Sequence, residues 1–145
     1  SEKPSEKRTG ERILNKNINP VLFFLNYRDR QILYDRVNGR VNEMINQGLV
    51  DEFKYIVDKY NLDENSQSMA AIGYKEIFPY VRGEISLDEM VNLIQRNTRR
   101  YAKRQITWMK RYLDYPFTRE IIMDDLSKDD ATMIIEDLIK GMYEF

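Results

Sequence analysis

The sequence predicts a mostly α-helical fold with two short β-strands. Apolar residues recur at three- and four-residue steps through several segments, which is the period of an amphipathic helix. Only two short runs, residues 21–25 and 121–123, have the composition of strands. The chain has 145 residues, a length that suits one core of the usual size of roughly 100–150 residues. We divide it into a polar linker at residues 1–19 and a mainly helical part at residues 20–145.

The first strand is predicted at residues 21–25, after the turn signal Asn19-Pro20. Its side chains are apolar on both faces, which is typical of a strand covered on both sides in a parallel sheet. The second strand, residues 121–123, is equally short. Two short strands do not form an independently stable sheet, so the first strand is expected to need further neighbours.

The first two helices have local start and stop signals. Asp29 is predicted as an N-cap, with Arg30 as the first helical residue, and Gly48 as the residue that stops this helix. A second helix is predicted at about residues 50–60. The apolar positions of the first helix recur at helical spacing and are Leu33, Val37, Val41, Met44 and Ile45.

Three further helices follow a polar loop at residues 61–68. A short one is predicted over residues 74–81, after Gly73. Ser86 and Glu89 have the spacing of a capping box and begin a long helix. The last helix, about residues 128–142, is predicted to bury Met133, Ile134, Leu138 and Ile139.

The long helix has two faces of different chemistry. At about 100° per residue, its apolar positions fall within about 120° of arc and its cations fall opposite. Residues 95–112 contain seven basic residues and no acidic one, whereas residues 113–145 contain nine acidic and three basic residues. The formal net charge of −1 therefore includes a cancellation between a basic helix and an acidic C-terminal segment. The apolar face comprises Leu87, Met90, Val91, Ile94, Thr98, Tyr101, Gln105, Trp108, Met109 and Tyr112, and the basic face Arg96, Arg99, Arg100, Lys103, Arg104, Lys110 and Arg111.

This basic face is the first candidate site, because a phosphate backbone would relieve the repulsion among its cations. The alternative is a solvated face balanced by the acidic segment. Gln105 lies in the apolar stripe and is expected to bond either protein backbone or a ligand base edge. Thr107 has a hydroxyl that could bond a phosphate, and Trp108 is most simply a core anchor.

Two weaker candidates lie nearer the N-terminus. Gly73, within residues 70–75, precedes a predicted helix whose backbone N–H groups could bind phosphate, with Lys75 adding charge; the alternative is an ordinary turn. Arg36 and Arg40 lie one helical turn apart, and Arg30 lies on the apolar stripe. There Arg30 either extends past the first turn to water, which is the simpler interpretation, or binds a buried oxyanion such as phosphate.

Several function classes are excluded by what the sequence lacks. It contains no cysteine and no histidine, so disulfides, thiolate chemistry and histidine bases are excluded. It contains no phosphate-binding P-loop motif, no dinucleotide fingerprint and no carboxylate cluster that indicates a metal site. No apolar run approaches the roughly 20 residues that span a bilayer, and the N-terminus does not resemble a signal peptide. We therefore expect a cytoplasmic location.

Four blocks of the sequence resemble the C-terminal half of the tRNA dimethylallyltransferase (isopentenyl-tRNA transferase) family. Their order and spacing agree with that family over about residues 20–112, and residues 3–6 resemble the stretch after its inserted helical domain. The blocks are residues 30–52 (RQILYDRVNGRV, then Met44, then GLVDE), residues 71–76 (AIGYKE), residues 83–89 (GEISLDE) and residues 97–108 (NTRRYAKRQITW).

The resemblance implies transfer of a dimethylallyl group from dimethylallyl diphosphate to N6 of the adenosine 3′ of the anticodon, with magnesium. It implies a fold related to P-loop kinases, to whose sheet residues 21–25 would belong. It also implies two segments that contact the tRNA anticodon stem-loop, and arginines that line a diphosphate channel. The implied tRNA-contacting residues are Ala70, Ala71, Ile72, Gly73, Tyr74, Lys75, Lys103, Arg104, Gln105, Ile106, Thr107, Trp108, Met109 and Lys110; the channel residues are Arg30, Arg36 and Arg40, with Arg96, Arg99 and Arg100 as an auxiliary basic face.

The chain departs from the family pattern in three ways. Ala70 replaces a Gln or Arg, and Met109 replaces a bulky aromatic or Leu side chain. The P-loop and the general-base aspartate are expected in an N-terminal part that this sequence lacks. We therefore expect a C-terminal fragment of a monomeric enzyme, with no catalytic residue, no metal ligand and no activity alone. The alternatives are a stand-alone helical RNA-binding module and a helical domain that binds an acidic protein.

Overall fold

The computed structural model describes residues 19–143, and within them it confirms a mostly helical fold with two strands. The predicted linker, residues 1–19, lies outside the described residues apart from Asn19. Single turns of 3-10 helix cover Gln67–Ala70 and Lys110–Tyr112. The elements in chain order are β1 (Leu22–Asn26), α1 (Arg30–Asn46), α2 (Leu49–Tyr60), α3 (Ile77–Val81), α4 (Leu87–Met109), β2 (Thr118–Ile122) and α5 (Lys128–Tyr143).

The two strands form one parallel pair. Leu22 pairs with Thr118, and the register continues to Asn26 and Ile122. The predicted first strand is confirmed, whereas the second begins earlier than predicted, at Thr118. Cover on both faces is partial within the described residues: Phe24 is buried on one face, and on the other Phe23 packs against the cluster of α5 while Leu25 is 45% exposed.

Most of the core lies between the helices. Helices α1 to α4 surround one apolar cluster, while β1, β2 and α5 surround a second, smaller cluster. The first contains most of the fully buried large side chains, so the long helix α4 is held mainly by packing on α1 and α3. The first cluster comprises Val41, Leu49, Phe53, Met69, Ile77, Met90 and Ile94; the second comprises Ile121, Met123 and Ala131.

The predicted helix ends are confirmed at three places. The Asp29 carboxylate accepts the Gln31 N–H at 2.8 Å and so caps α1. Gly48 adopts a φ of 99° between α1 and α2, a left-handed conformation that favours glycine. The capping box is complete: the Ser86 hydroxyl accepts the Glu89 N–H at 3.2 Å, and the Glu89 carboxylate accepts the Ser86 N–H at 2.8 Å.

Two helix predictions require correction. Helix α3 begins at Ile77 rather than at residue 74, because residues 72–76 form turns. In α5 the predicted burial is wrong at Met133, Ile134 and Ile139, which are exposed. This helix packs on the strands through a different row: Ala131 is buried and Ile135 packs beside it, four residues further along, while Leu138 is half-buried.

A carboxylate at the end of β2 ties the strands to α1. Asp124 accepts the backbone N–H of Arg28 at 2.9 Å and that of Asp29 at 2.8 Å, one on each oxygen. The N–H groups of Asp29 and then Arg28 hold the pKa of Asp124 below its ordinary value. The loop between β1 and α1 is thereby fixed at the carboxyl end of the sheet.

We expect Asp124→Asn to destabilise the chain at neutral pH, because an amide offers one acceptor oxygen where two are used. A carboxylate whose pKa is lowered by folding stabilises the folded state fully at pH values above its unfolded pKa of about 4. This contribution to stability is lost as the pH falls through the folded pKa. Urea midpoints should therefore differ between variant and wild type at neutral pH and converge in acid. The exposed neighbour Asp125, changed to Asn, is the control; an equal acid dependence in both variants would contradict the assignment.

We expect Phe53→Ala to cost about 3–5 kcal/mol of unfolding free energy, because it opens a cavity in the main cluster. The Phe53 ring is buried and contacts the Phe78 ring edge-on, with centroids 4.8 Å apart. Tyr55→Ala, on the exposed side of the same helix, should cost less than about 1 kcal/mol. Denaturant titration measures both, and equal losses would show that α2 is not anchored through Phe53.

Candidate nucleic-acid interface

The buried face of α4 changes along its length. Met90 and Ile94 are buried in the first half, whereas Ala102, Ile106 and Met109, on an adjacent face, are half-buried in the second. Helix α4 packs antiparallel on α1, since its contacts advance toward the start of α1 as α4 proceeds. The pairs that show this are Gln95 with Asn42 at 3.0 Å and Arg99 with Asn38 at 2.6 Å.

The second half of the predicted apolar stripe therefore faces outward. Tyr101 and Trp108 are each 48% exposed, and Gln105 is exposed as well. The premise that Gln105 lies in a buried stripe is therefore wrong, whereas its bond to a ligand base edge stays a prediction. The interpretation of Trp108 as a core anchor is wrong, because its ring is exposed. The Trp108 ring instead lies 5.0 Å from the Tyr112 ring, and the Arg111 guanidinium lies 4.9 Å from the Trp108 centroid.

Cations and aromatic rings are interleaved on this surface, which we call the α4 face. A second guanidinium, that of Arg104, lies 5.8 Å from the Tyr101 ring centroid. Such pairing keeps rings and cations close together at the surface. The α4 face comprises Arg100, Tyr101, Lys103, Arg104, Thr107, Trp108 and Arg111, six of which border a shallow groove of about 470 Å³.

Within residues 19–143, no ion pair joins the acidic segment to this face. The ion pairs there join Lys75 to Glu76 and Arg82 to both Glu64 and Glu84. None of these pairs connects α4 to β2 or α5 in the described part of the chain. The alternative of a basic helix balanced by the acidic segment folding back is therefore not supported.

Two residues of the predicted basic site are engaged with the protein itself. Arg99 turns toward α1, where it bonds Asn38 and lies 5.9 Å from the Tyr34 ring, while Arg96 and Arg100 are exposed. The Thr107 hydroxyl donates to the Lys103 carbonyl at 2.9 Å. A phosphate bond from this hydroxyl would require breaking that hydrogen bond.

The turn at residues 70–75 is organised differently from the prediction. Its backbone N–H groups do not form an open phosphate cradle, because three of them are used internally. The Gly73 N–H donates to the Glu76 carboxylate at 2.8 Å, and those of Tyr74 and Lys75 donate to the Ala71 carbonyl at 3.2 Å. What this segment offers to solvent is its surface around Ala70 and Ala71 and the half-exposed Lys75 ammonium.

Glu76 is a functional candidate that sequence reasoning missed. Its side chain is nearly fully buried and accepts two hydrogen bonds, from the Gly73 N–H at 2.8 Å and from the Asn97 amide at 2.7 Å. It therefore joins the turn to α4. Glu76 lies inside the AIGYKE block at residues 71–76, but beyond its residue type no local signal in the sequence indicates these bonds. Nearby, the Tyr74 hydroxyl donates to Glu52, and this bond raises the pKa of Tyr74.

The three arginines of α1 lie in three different surroundings. Arg30 is exposed and borders a pocket of about 160 Å³ with Lys103 and Lys110, between α4 and the loop after β1. Arg36 donates to the Leu126 carbonyl at 2.7 Å, which ties α1 to the segment before α5. Arg40 borders a separate cleft beside Gly73 and Tyr101. The described residues thus do not bring these arginines together at one anion.

The described residues do not fit a magnesium ion. Among residues 19–143 no group of three or more Asp or Glu side chains converges as a metal site would require. Within the same residues, no helix combines the length and the apolar character needed to cross a membrane.

The chain belongs to the IPP transferase family, whose model matches residues 1–112. The predicted family resemblance is thus confirmed, and the match is consistent with the C-terminal part of that family. A tRNA dimethylallyltransferase from Thermoanaerobacter sp. (strain X514) is 49% identical over 120 residues, which are 83% of this chain and 36% of that relative. One from Caldanaerobacter subterraneus subsp. tengcongensis is 41% identical over 97% of this chain and 41% of the relative.

Two solved structures have a similar fold. A tRNA isopentenylpyrophosphate transferase from Bacillus halodurans superposes with a TM-score of 0.68 and 39% identity, over 83% of this chain and 38% of that one. A tRNA delta(2)-isopentenylpyrophosphate transferase from Staphylococcus epidermidis superposes with a TM-score of 0.70 and 34% identity, over 84% of this chain and 38% of that one. The chain thus spans 36–41% of the length of these four relatives.

We expect Glu76→Ala to cost about 1–3 kcal/mol of unfolding free energy, because two donors lose their buried acceptor. Glu76→Gln keeps an acceptor oxygen for the Gly73 N–H and should cost less. Denaturant titration of both variants beside Glu64→Gln, an exposed carboxylate in a surface ion pair, measures the difference. A loss in Glu76→Ala no larger than in Glu64→Gln would contradict a structural role for the buried carboxylate.

Proposed function

We propose that this chain is the RNA-binding C-terminal part of a tRNA-modifying prenyltransferase. The observation that carries the proposal is the exposed α4 face, where aromatic rings and cations alternate without acidic partners among the described residues. Phosphates attract such cations, and unstacked bases stack on such rings. Membership of the IPP transferase family, together with relatives named tRNA dimethylallyltransferase, supports tRNA as the RNA.

In the whole enzyme the reaction would be transfer of a dimethylallyl group to N6 of the adenosine 3′ of the anticodon. The adenosine amine attacks the allylic carbon, the bond from that carbon to the diphosphate oxygen breaks, and the amine loses a proton. The role of this chain would be to hold the anticodon stem-loop so that the adenosine reaches the donor. We place no catalytic residue in it and propose that it is inactive alone.

The prenyl donor and magnesium would be held mainly by other parts of the enzyme. Within the described residues, Arg30, Lys103 and Lys110 border one small pocket and could contribute positive charge to the developing diphosphate. Magnesium would supply further positive charge there, through ligands other than the residues described. We propose a monomeric enzyme that acts in the cytoplasm.

The decisive experiment is an RNA titration of Arg100→Glu/Arg104→Glu at several salt concentrations. In a plot of the logarithm of the RNA association constant against the logarithm of the salt concentration, each cation that binds a phosphate contributes about 0.7–0.9 to the steepness of the slope. The double variant should therefore bind more weakly, with a slope that is less steep by about 1.5. The probe is an anticodon stem-loop RNA. A matched control, Lys54→Glu/Lys128→Glu, makes the same change of charge on exposed positions of α2 and α5.

Four results would contradict the proposal. A salt-independent affinity would exclude phosphate contacts, and equal weakening in both double variants would show that only net charge matters. Prenylation of RNA by the isolated chain would overturn its assignment as a non-catalytic part. Tight binding of an acidic protein with no affinity for RNA would favour an interaction domain instead.

A further inference from the structure

We propose that Asp124 is a positioning residue for an anion pocket, because it holds the loop that brings two arginines to that pocket. The inference rests on the proposed function, in which this pocket contributes positive charge to the diphosphate of the prenyl donor. The pocket has a volume of about 160 Å³ and lies between the loop at residues 27–29, the first turns of α1 and the second half of α4.

Four cations border this pocket, and no carboxylate within residues 19–143 does so. Arg28 and Arg30 come from the loop and the start of α1, whereas Lys103 and Lys110 come from α4. None of the four belongs to an ion pair in the described part of the chain. A recessed site lined by one sign of charge concentrates ions of the opposite sign. A pocket with four cations therefore suits a diphosphate, which carries several negative charges, better than a single RNA phosphate.

Asp124 holds the loop that carries two of these cations. Its carboxylate accepts the Arg28 N–H at 2.9 Å and the Asp29 N–H at 2.8 Å. One of the two anchored amides thus belongs to a pocket arginine, and the other immediately precedes Arg30. Because Asp124 follows β2 and lies 96 residues from Arg28 along the chain, these bonds fix the loop relative to the strand pair.

The wall on the side of α4 is held independently of Asp124. One turn before Lys103, the Arg99 guanidinium donates to the Asn38 side chain at 2.6 Å. The same guanidinium lies 5.9 Å from the Tyr34 ring, which itself borders the pocket. The α4 lysines therefore keep their place when the loop moves. The spacing between these lysines and the loop arginines thus depends on the carboxylate that holds the loop.

Asp124 acts through the backbone and does not itself line the pocket. The bonds from the Asp29 and Arg28 N–H groups hold the pKa of Asp124 below its ordinary value, so at neutral pH the carboxylate is charged and both oxygens accept. A negative charge near the pocket would by itself weaken the binding of an anion. Positioning and charge therefore predict opposite effects: if Asp124 positions the loop, removing its charge weakens anion binding.

The test compares diphosphate binding by wild type, Asp124→Asn and Asp124→Glu at neutral pH and low salt. The probe is inorganic diphosphate without magnesium, and isothermal titration calorimetry measures its affinity. Asn offers one acceptor oxygen instead of two, and Glu displaces both oxygens by one methylene. Both variants should bind diphosphate roughly 3- to 10-fold more weakly, which is the value of one hydrogen bond. Affinity for an anticodon stem-loop RNA, which binds the α4 face, should change by less than about twofold.

Two comparisons separate positioning from charge and from general destabilisation. Asp125→Asn is the matched control, because it removes the same charge from the exposed neighbouring residue and should not weaken diphosphate binding. The second comparison is a double-mutant cycle in the Arg28→Gln/Arg30→Gln background. If Asp124 acts through these arginines, Asp124→Asn should weaken diphosphate binding in that background by less than about twofold further.

The possible results support or overturn the positioning role separately from the proposed function. Diphosphate binding that is unchanged or stronger in Asp124→Asn, or an undiminished loss in the Arg28→Gln/Arg30→Gln background, would overturn it. If the variants lose RNA affinity as well and are unfolded, wild type decides: saturating diphosphate should slow hydrogen exchange of the Arg28 and Asp29 amides, and unchanged exchange would overturn the role. Wild type that binds RNA but not diphosphate would also overturn it. Absence of RNA binding by wild type would instead refute the proposed function.

Discussion

The antiparallel packing of α4 on α1 is the contact on which the rest of the structure depends. It buries Ile94 against Val41, and the same geometry determines which side chains of α4 remain outside. Because the contact shifts to an adjacent face in the second half of α4, Tyr101 and Trp108 turn outward and join the cations. A helix that packed on one face throughout would have buried these rings. The composition of the exposed surface is thus a direct result of how two helices cross.

The buried carboxylate of Glu76 extends this arrangement to the turn at residues 70–73. Polar groups inside a core are costly unless they are bonded, and Glu76 is bonded on both sides, to Gly73 and to Asn97. The turn at residues 70–75 is therefore joined through one buried side chain to α4, the helix that also carries residues 103–109 of the second segment that the family resemblance associates with tRNA. Glycine at position 73 permits this, since its φ of 103° is one that other residues rarely adopt.

Features encoded by neighbouring residues were predictable from the sequence, and features that depend on what covers a surface were not. The Asp29 cap, the glycine stop at Gly48 and the capping box at Ser86 follow from local hydrogen bonding and backbone freedom, and the structure contains all three. Periodicity located the apolar side of α4, but it contains no information about which part of that side has a neighbour, and in α5 it indicated a different row from the one that packs on the strands. For this reason Trp108 was placed in the core. The long-range bonds of Arg36 and Glu76 have no local signal beyond residue type.

The separation of the two apolar clusters has a consequence for how the molecule opens. Residues around Phe53 and Ile94 form one cluster, and those around Ile121 and Ala131 form another, with bridging hydrogen bonds such as those of Asp124 between them. Clusters that do not merge lose their protection in separate steps, each with its own free energy. We therefore expect backbone amides of the strands and of α5 to exchange with solvent through openings that leave α1 to α4 folded. In such openings the α4 face would keep its shape while the parallel strand pair comes apart and re-forms.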